Sequence, residues 1–382
     1  MLKQAIEDYL LWMISTGYSQ PILDSAERAL QQFSVFITHR QVPWESIFTY
    51  ETLKSFQKEI CPLCASAVRG LSKHLFMKKK ISRPIPKKAH TLSRIYEEYI
   101  CWYGKVHTEN RSFIFCITRV LAALDKYLQK REIPLAKIKI EQLDAFLGEY
   151  TASYSAQTKK TYRSVLRGFL RYLYHEKGII KKDLASLLIG APVYAQAKPP
   201  KFLRPWEVEK LFSNADILSV RGLRRYAILY LAFTLGLRPK EIRLIRLDDI
   251  SFSRMEVRIR DRKNTSPIKL PLCEDSIKAI AAYVVGARPK SSDRHLFLRF
   301  RAPFLPISAS MVCYEITAGL RAAHLPGSAY WLRHTYAQRL LESGASIFEI
   351  KQMLGHESIQ SSRRYIHINT KLMREVIFNE TL

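Results

Sequence analysis

What this chain lacks narrows its setting before any motif is considered. The N-terminus carries Glu7 and Asp8 where a secretory leader is cationic, so no export signal is expected. Long apolar runs are missing too. The longest, Ala227 to Leu237, is interrupted by Thr234 and Gly236 and is too short to span a bilayer, so no membrane partner is expected. Six cysteines are scattered without a framework, which suits a reducing cytoplasm. Cys61 and Cys64 make a lone C-x-x-C with His74 downstream. A zinc site there lacks an identifiable fourth ligand, so free thiols and no metal are expected.

Acidic residues are also scarce. Lys and Arg number 61 against 34 Asp and Glu, a net charge of +27. Such an excess repels itself in a compact protein unless a polyanion is the working partner. Nucleic acid fits best, with affinity that falls steeply with salt through counterion release. A merely soluble basic protein is the bland alternative. With 382 residues and 47% hydrophobic content, two or three folded domains are expected and no disordered tract.

The first half reads as a diverged internal duplication. Val68-Arg69-Gly70-Leu71, followed by Lys73, Leu75 and Phe76, echoes Leu166-Arg167-Gly168-Phe169, followed by Arg171, Leu173 and Tyr174. Val42-Pro43 echoes Ile133-Pro134, each after a helix-like stretch, Ser25 to Thr38 and Ile117 to Lys130. Each copy reads as four or five short helices with few strand signals; chance likeness between small helical domains is the competing explanation. The copies take residues 1–82 and 91–190. A basic stretch from Lys78 to Lys88 separates them, and a Pro-containing linker at 191–201 leads to a last region, 202–382.

In the last helix of the second copy, Tyr162, Val165, Leu166, Phe169, Leu170 and Leu173 share one face, while Lys160, Arg163, Arg167 and Arg171 gather on the other. One face can pack a core while the other meets phosphates or a groove. A solvated basic face gives the same pattern.

The chemistry is concentrated downstream. Arg238 sits in Thr-Leu-Gly-Leu-Arg238-Pro, Lys263 in Asp-Arg-Lys263-Asn, Arg333 in Leu-Arg333-His334-Thr and His356 in Leu-Gly-His356, with Tyr365 nine residues further on. Two arginines, a lysine and a histidine form a phosphate-binding charge cluster, and a neighbouring tyrosine is a candidate nucleophile. The apolar helix Tyr226 to Leu235 should end at Gly236. Pro239 should open a helix to Leu247, which places Arg238 beside a helix start. Met255 to Arg260 and Pro267 to Leu272 alternate as two strands, with Lys263 at the turn between them. Trp331 to Glu342 reads as a helix stopped by Gly344, and Ser346 with Glu349 as a capping box for a helix closed by Gly355. A further short helix from about Ser358 should present Tyr365. Asp248 and Asp249 lack matching carboxylates and read as capping or structural residues, so no cofactor or metal is implied.

In order and spacing these five motifs resemble the signature of the tyrosine recombinases, the family of phage integrases and Xer-type recombinases. The resemblance covers roughly the last half of the chain. It implies a mainly α fold: two tandem helical SAM-like domains of the core-binding type, then an α-rich catalytic domain with a small antiparallel sheet. Residues 91–190 resemble the core-binding, DNA-binding domain, and the copy at 1–82 is an addition to the usual plan. The linker is implied to pass along the duplex. The implied activity is that of a tyrosine-type DNA strand transferase, the integrase or transposase of a mobile element. Arg238, Arg333 and His356 are implied to hold the phosphate, Tyr365 to attack it, and Lys263 to protonate the leaving 5′ oxygen.

The family resemblance also implies a partner set: double-stranded DNA with inverted-repeat sites, and a tetramer on synapsed DNA. In that tetramer the C-terminal helix, with Leu372, Val376, Ile377 and Phe378, docks on a neighbour. Folding back onto its own domain is the alternative for that segment. Accessory recombinases or DNA-bending proteins belong to the same picture, as does a cytoplasmic, nucleoid-associated location. One position departs from the pattern. Three residues before Arg333, where histidine or lysine usually stands, this chain has Tyr330, and a phenol does not exchange protons near neutral pH as an imidazole does. His334 and Lys269 are lesser candidates for the tasks of Tyr330 and Lys263. Three readings compete with a mobile-element recombinase: a decayed relative that binds DNA as an accessory or architectural protein, a chromosome-dimer resolvase, and a type IB topoisomerase.

Overall fold

A computed structural model describes residues 1–60, 64–85, 92–107, 111–190, 200–260 and 267–355. The chain divides into two compact units, one of Met1–Ile85 with Lys198–Leu382 and the other of Pro86–Ala197.

The first part of the larger unit holds helices α1 (Leu2–Ser15), α2 (Gln20–His39), α3 (Trp44–Ile47), α4 (Tyr50–Glu59) and α5 (Ala65–Met77). Helix α2 shows why they fold. Pro21 lies in its first turn, and Ala26, Ala29, Leu30, Phe33, Phe36 and Ile37 make a single buried stripe. The stripe packs with Leu53, Phe56, Val68, Leu71 and Leu75 in a core drawn from this segment. Cys64, at the start of α5, is disulfide-bonded. This corrects the expected free thiol, because the lack of a fourth zinc ligand argues against a metal and says nothing about a disulfide. Cys101, Cys116, Cys273 and Cys313 are free.

The smaller unit repeats the helical style with α6 (Arg94–Val106), α7 (Arg111–Lys130), α8 (Ile140–Thr151), α9 (Ala156–Arg171) and α10 (Leu184–Leu187). The Ser155 hydroxyl accepts from the Thr158 N–H at 3.3 Å and starts α9. Tyr162, Val165, Leu166, Phe169 and Leu170 are buried along α9 as the periodicity predicts, with Leu173 buried just beyond it.

The rest of the larger unit contains α11 (Pro205–Ser213), α12 (Val220–Thr234), α13 (Pro239–Leu244), α14 (Glu274–Gly286), α15 (Ala309–Ala322), α16 (Ala329–Glu342) and α17 (Ile347–Leu354). A small antiparallel sheet runs in the order β1 (Ile250–Ser251), β2 (Glu256–Ile259), β3 (Ile268–Pro271), with Val257 opposite Leu270 and Ile259 opposite Ile268. The two predicted strands are present, and β1, only two residues long, offered no alternation to detect. Helix α12 is the central element, with Ala227, Ile228, Leu231 and Ala232 all buried, and it packs against α14, α15 and α16.

In the last region, two helix boundaries differ from expectation by three residues or more, for tertiary reasons. Helix α12 begins at Val220 rather than Tyr226, because Ser219 caps it and the polar-looking Arg224 is buried against α15. Helix α13 ends at Leu244 rather than Leu247, because the following backbone bonds elsewhere: Leu296 N–H to Ile245 O and Leu247 N–H to Arg294 O, both at 2.8 Å.

The Arg224 contact is an ion pair withdrawn from water. Arg224 Nη2 donates to Glu315 Oε1 at 2.6 Å, with the two side chains 6% and 3% exposed, and Arg225 Nε reaches Oε2 at 3.1 Å. Removing one partner of such a pair strands a buried charge. Glu315→Ala should therefore destabilise the fold by about 3–5 kcal/mol in urea denaturation. A loss under about 1 kcal/mol would mean that water reaches Arg224.

Candidate functional site

Helix α12 leads into a sharp turn at Gly236, which has φ of +59°. An added Cβ there would come within 2.4 Å of the Tyr336 ring, so glycine is required both by conformation and by space. The turn buries Leu237 and puts Arg238 at the N-cap of α13, with Pro239 in the first turn. Glu241, one turn into α13, then folds back. The Arg238 N–H donates to Glu241 Oε2 at 2.7 Å, and Arg238 Nη1 donates to Oε1 at 2.8 Å.

Arg333 reaches the same carboxylate from α16. Its Nη1 lies 3.9 Å from Glu241 Oε2 and donates to Gly236 O at 2.6 Å. Glu241 is 3% exposed and Arg333 4%. Both guanidiniums also close on the end of α17: Arg333 Nη2 donates to Leu354 O, and Arg238 Nη2 to Gly355 O at 3.0 Å. Carbonyls at a helix C-terminus carry partial negative charge and suit such donors. Helix α17 is held in register by the predicted capping box, Ser346 N–H to Glu349 Oε2 at 2.7 Å and Glu349 N–H to Ser346 Oγ at 3.3 Å. Gly355 closes it in the left-handed conformation at φ 61°, ψ 51°.

Among the described residues, the arrangement leaves an excess of positive charge. Two guanidiniums share one carboxylate, and the backbone carbonyls supply only partial charge. The Arg238 side chain remains 22% exposed, and its bonds to Glu241 and Gly355 use two of the five N–H groups of a guanidinium. An oxyanion at this opening gains a charge-assisted donor already fixed in place.

Of the residues singled out in the sequence, Arg238 and Arg333 are brought together. Lys263, His356 and Tyr365 lie outside the described residues, as does the segment from 372 to 378. Gly355, the residue before His356, is the acceptor of an Arg238 bond. Tyr330 is 55% exposed in the first turn of α16, three residues before Arg333. Lys269 is exposed in β3, opposite Arg258. His334 follows Arg333 and is half-buried.

The acidic pair is structural. Asp249 Oδ2 accepts the Arg246 N–H at 2.9 Å and Oδ1 accepts from Arg260, while Asp248 is paired with Arg294, which holds its carboxyl below the usual value. Among the described residues, no group of three or more His, Cys, Asp and Glu is placed to hold a metal.

In α9, Lys160 and Arg171 are exposed as expected, but Arg163 and Arg167 are half-buried. Arg163 packs against Gly190, where an added Cβ would meet its guanidinium. The Nε atoms of Arg163 and Arg167 are buried and have no acceptor among the described residues. The basic face is thus partly covered at its centre.

Glu241 is the residue the motif reading missed. Its signal was the spacing Arg238-Pro239-Lys240-Glu241, in which a glutamate at the third helical position reaches back to the N-cap.

Residues 201–371 match the model of the phage integrase family, and residues 118–177 match the phage integrase N-terminal SAM-like domain. The chain is 28% identical over 247 residues to a Sinorhizobium fredii protein provisionally named integrase/recombinase y4rA, covering 64% of this chain and 60% of that protein. It therefore spans less than two thirds of that relative. It is 26% identical to the tyrosine recombinase XerD of Staphylococcus saprophyticus, over 76% of this chain and 98% of XerD. The solved structure of XerH site-specific recombinase bound to a palindromic difH substrate, a post-cleavage complex, shares the fold. Its TM-score is 0.59 at 17% identity, over 98% of this chain and 95% of that one.

The buried carboxylate between two guanidiniums gives a direct test. Glu241→Ala should destabilise the chain by about 3 kcal/mol in chemical denaturation, since it leaves buried charge uncompensated. Glu241→Gln should recover part of that loss through its remaining acceptor oxygen. Equal stability of all three proteins would show that the carboxylate does not hold the arginines.

Proposed function

We propose, for a chain that belongs to the tyrosine recombinase family, that it is a site-specific DNA recombinase of the integrase or transposase type. In this role it cuts and rejoins DNA strands through a covalent 3′-phosphotyrosine. The observation that carries the reading is the convergence of Arg238 and Arg333 on Glu241 and on the two carbonyls that immediately precede His356.

A phosphodiester is slow to cleave because negative charge builds on its non-bridging oxygens and because the departing alkoxide is a poor leaving group. Arg238 and Arg333 meet the first difficulty with charge fixed before the substrate arrives, and His356 adds a hydrogen bond. Each such donor is worth about 10²–10³ in rate. Tyr365 attacks phosphorus, forming the Tyr O–P bond while the P–O5′ bond breaks. Neighbouring cations lower the cost of its phenolate. Lys263 delivers a proton to the leaving 5′ oxygen. The enzyme-bound phosphotyrosine keeps the bond energy, and a 5′ hydroxyl from a second strand reverses the step on a new partner.

Tyr330 fits this scheme as a hydroxyl donor to the phosphate rather than as a proton-exchanging base, and its 55% exposure leaves it accessible to DNA. The partner expected is duplex DNA with inverted-repeat sites, bound at the nucleoid by a tetramer linked through C-terminal helices, with accessory recombinases or bending proteins as further members. The exposed phenol at 330 also favours one rival, a catalytically decayed DNA-binding relative.

A nicked suicide substrate carrying the natural site separates the two. Covalent protein–DNA adducts should form with the unaltered chain, vanish in Tyr365→Phe and fall by about 10²–10³ in rate in Arg333→Ala. Site-specific binding with no adduct in the unaltered chain supports the decayed relative. Relaxation of supercoils on any plasmid points instead to topoisomerase activity. Tyr330→His should cleave as fast or faster, and a collapse of cleavage would assign Tyr330 a task that imidazole does not perform.

A further inference from the structure

The two helical segments that open the chain share more than a helix count. In each, a tyrosine of the first helix lies over a glycine of the last long helix. An added Cβ would come within 2.2 Å of Tyr9 Oη at Gly70 and within 2.8 Å of Tyr99 Oη at Gly168. Three residues on, a tryptophan stacks on that tyrosine: Tyr9 with Trp12 at 5.7 Å and 19°, Tyr99 with Trp102 at 5.9 Å and 24°. The same ring sites continue toward the last helix, with Trp12 against His74 at 5.0 Å and Trp102 against Tyr172 at 5.1 Å.

The polar contacts repeat as well. Asp8 pairs with Lys80 at 3.1 Å, and Glu98 with Lys177 at 2.7 Å. Arg40 pairs with Glu59, and Arg131 with Glu149, both at 2.7 Å, each arginine lying over the aromatic ring four residues before it. The residue after each arginine, Gln41 or Glu132, has positive φ, 51° and 55°. Core contacts, surface ion pairs and a left-handed turn have separate physical causes. Chance likeness between helical bundles does not repeat all of them in the same order.

The repetition extends to the basic face. Arg69 of α5 and Arg167 of α9 are both half-buried, and the Nε of each is buried without a hydrogen-bond partner among the described residues. Four residues on, Lys73 and Arg171 are both exposed. From Cys64 to Ile85 the first segment has six cations, Arg69, Lys73, Lys78, Lys79, Lys80 and Arg83, and no acidic residue. Among the described residues, Lys80 alone of these six is ion-paired. Such a face is matched to phosphates.

We propose that residues 1–85 are a tandem copy of the helical domain at 92–190, and that this copy is a second DNA-contact module that uses Arg69, Lys73 and the Lys78–Lys79 pair on the phosphate backbone. This rests on the reading of the chain as a DNA recombinase. The site in each copy is built alike: a half-buried arginine on the last long helix, with an exposed cation one turn away. The module adds phosphate contacts, and therefore affinity and salt dependence, without adding a catalytic group.

The test uses the full chain and a duplex carrying the natural site, with affinity measured between roughly 50 and 200 mM salt, a span over which phosphate contacts change affinity strongly. Lys73→Glu and Arg69→Ala/Lys73→Ala should each lower the slope of log affinity against log salt by about one to two, and weaken binding several-fold. Hydroxyl-radical protection should be lost over one stretch of the duplex only. Lys160→Ala/Arg171→Ala, in the second copy, should lower the slope while sparing that stretch. Lys73 is exposed, so its single variant keeps the test valid should the Arg69 change disturb folding. If both first-copy variants bind with the slope, affinity and footprint of the unaltered chain while the second-copy variant is weakened, the proposal is overturned and the recombinase reading stands. If the unaltered chain does not bind duplex DNA, both fall.

Discussion

The candidate site depends on one buried carboxylate. Glu241 is almost without solvent contact, yet two guanidiniums from different parts of the chain are directed at it, Arg238 from its own helix and Arg333 from α16. Two arginines brought this close would repel each other if nothing lay between them. The carboxylate makes their proximity tolerable, and the carbonyls of Gly236, Leu354 and Gly355 take further N–H groups. Among the described residues cancellation is incomplete, which is the useful property: Arg238 stays partly exposed, with its donors fixed before an anion arrives.

This constraint explains several local choices at once. Gly236 must adopt a left-handed turn with no side chain, because its carbonyl serves Arg333 while the Tyr336 ring occupies the place a Cβ would take. Pro239 sets the first turn so that Glu241 can reach back to the Arg238 N–H. Gly355 ends α17 where both arginines can use its last carbonyls, and the next residue is His356. The buried Arg224–Glu315 pair joins α12, the helix that leads into the Gly236 turn, to α15.

Much of this was legible in the sequence, for reasons that can be stated. Arg238 and Arg333 stood beside strong helix punctuation, Gly-x-Arg-Pro before one helix and a helical apolar stripe around the other, so their places could be anticipated. The capping box at Ser346 and the stop at Gly355 are local chemistry and appear as expected. Glu241 was hidden because a glutamate in an exposed-looking first turn is ordinary; only the tertiary approach of Arg333 makes it central. The start of α12 was hidden by Arg224, whose burial depends on a glutamate far away in sequence. The half-burial of Arg163 and Arg167 was hidden in the same way, since helical periodicity assigns a face but not what packs on its margin. Lys263, His356 and Tyr365 rest on motif spacing alone.

In the proposed reaction both guanidiniums and the Tyr365 oxygen serve one phosphodiester. A structure of the Tyr365→Phe variant on its natural duplex measures this directly, through the distances from Arg238 and Arg333 to the scissile phosphate. Both arginines are predicted to donate to its non-bridging oxygens at about 2.7–3.0 Å, with the edge of the substituted ring facing phosphorus. A phosphate held by neither arginine, or one with that ring on the far side of the pocket, would contradict it.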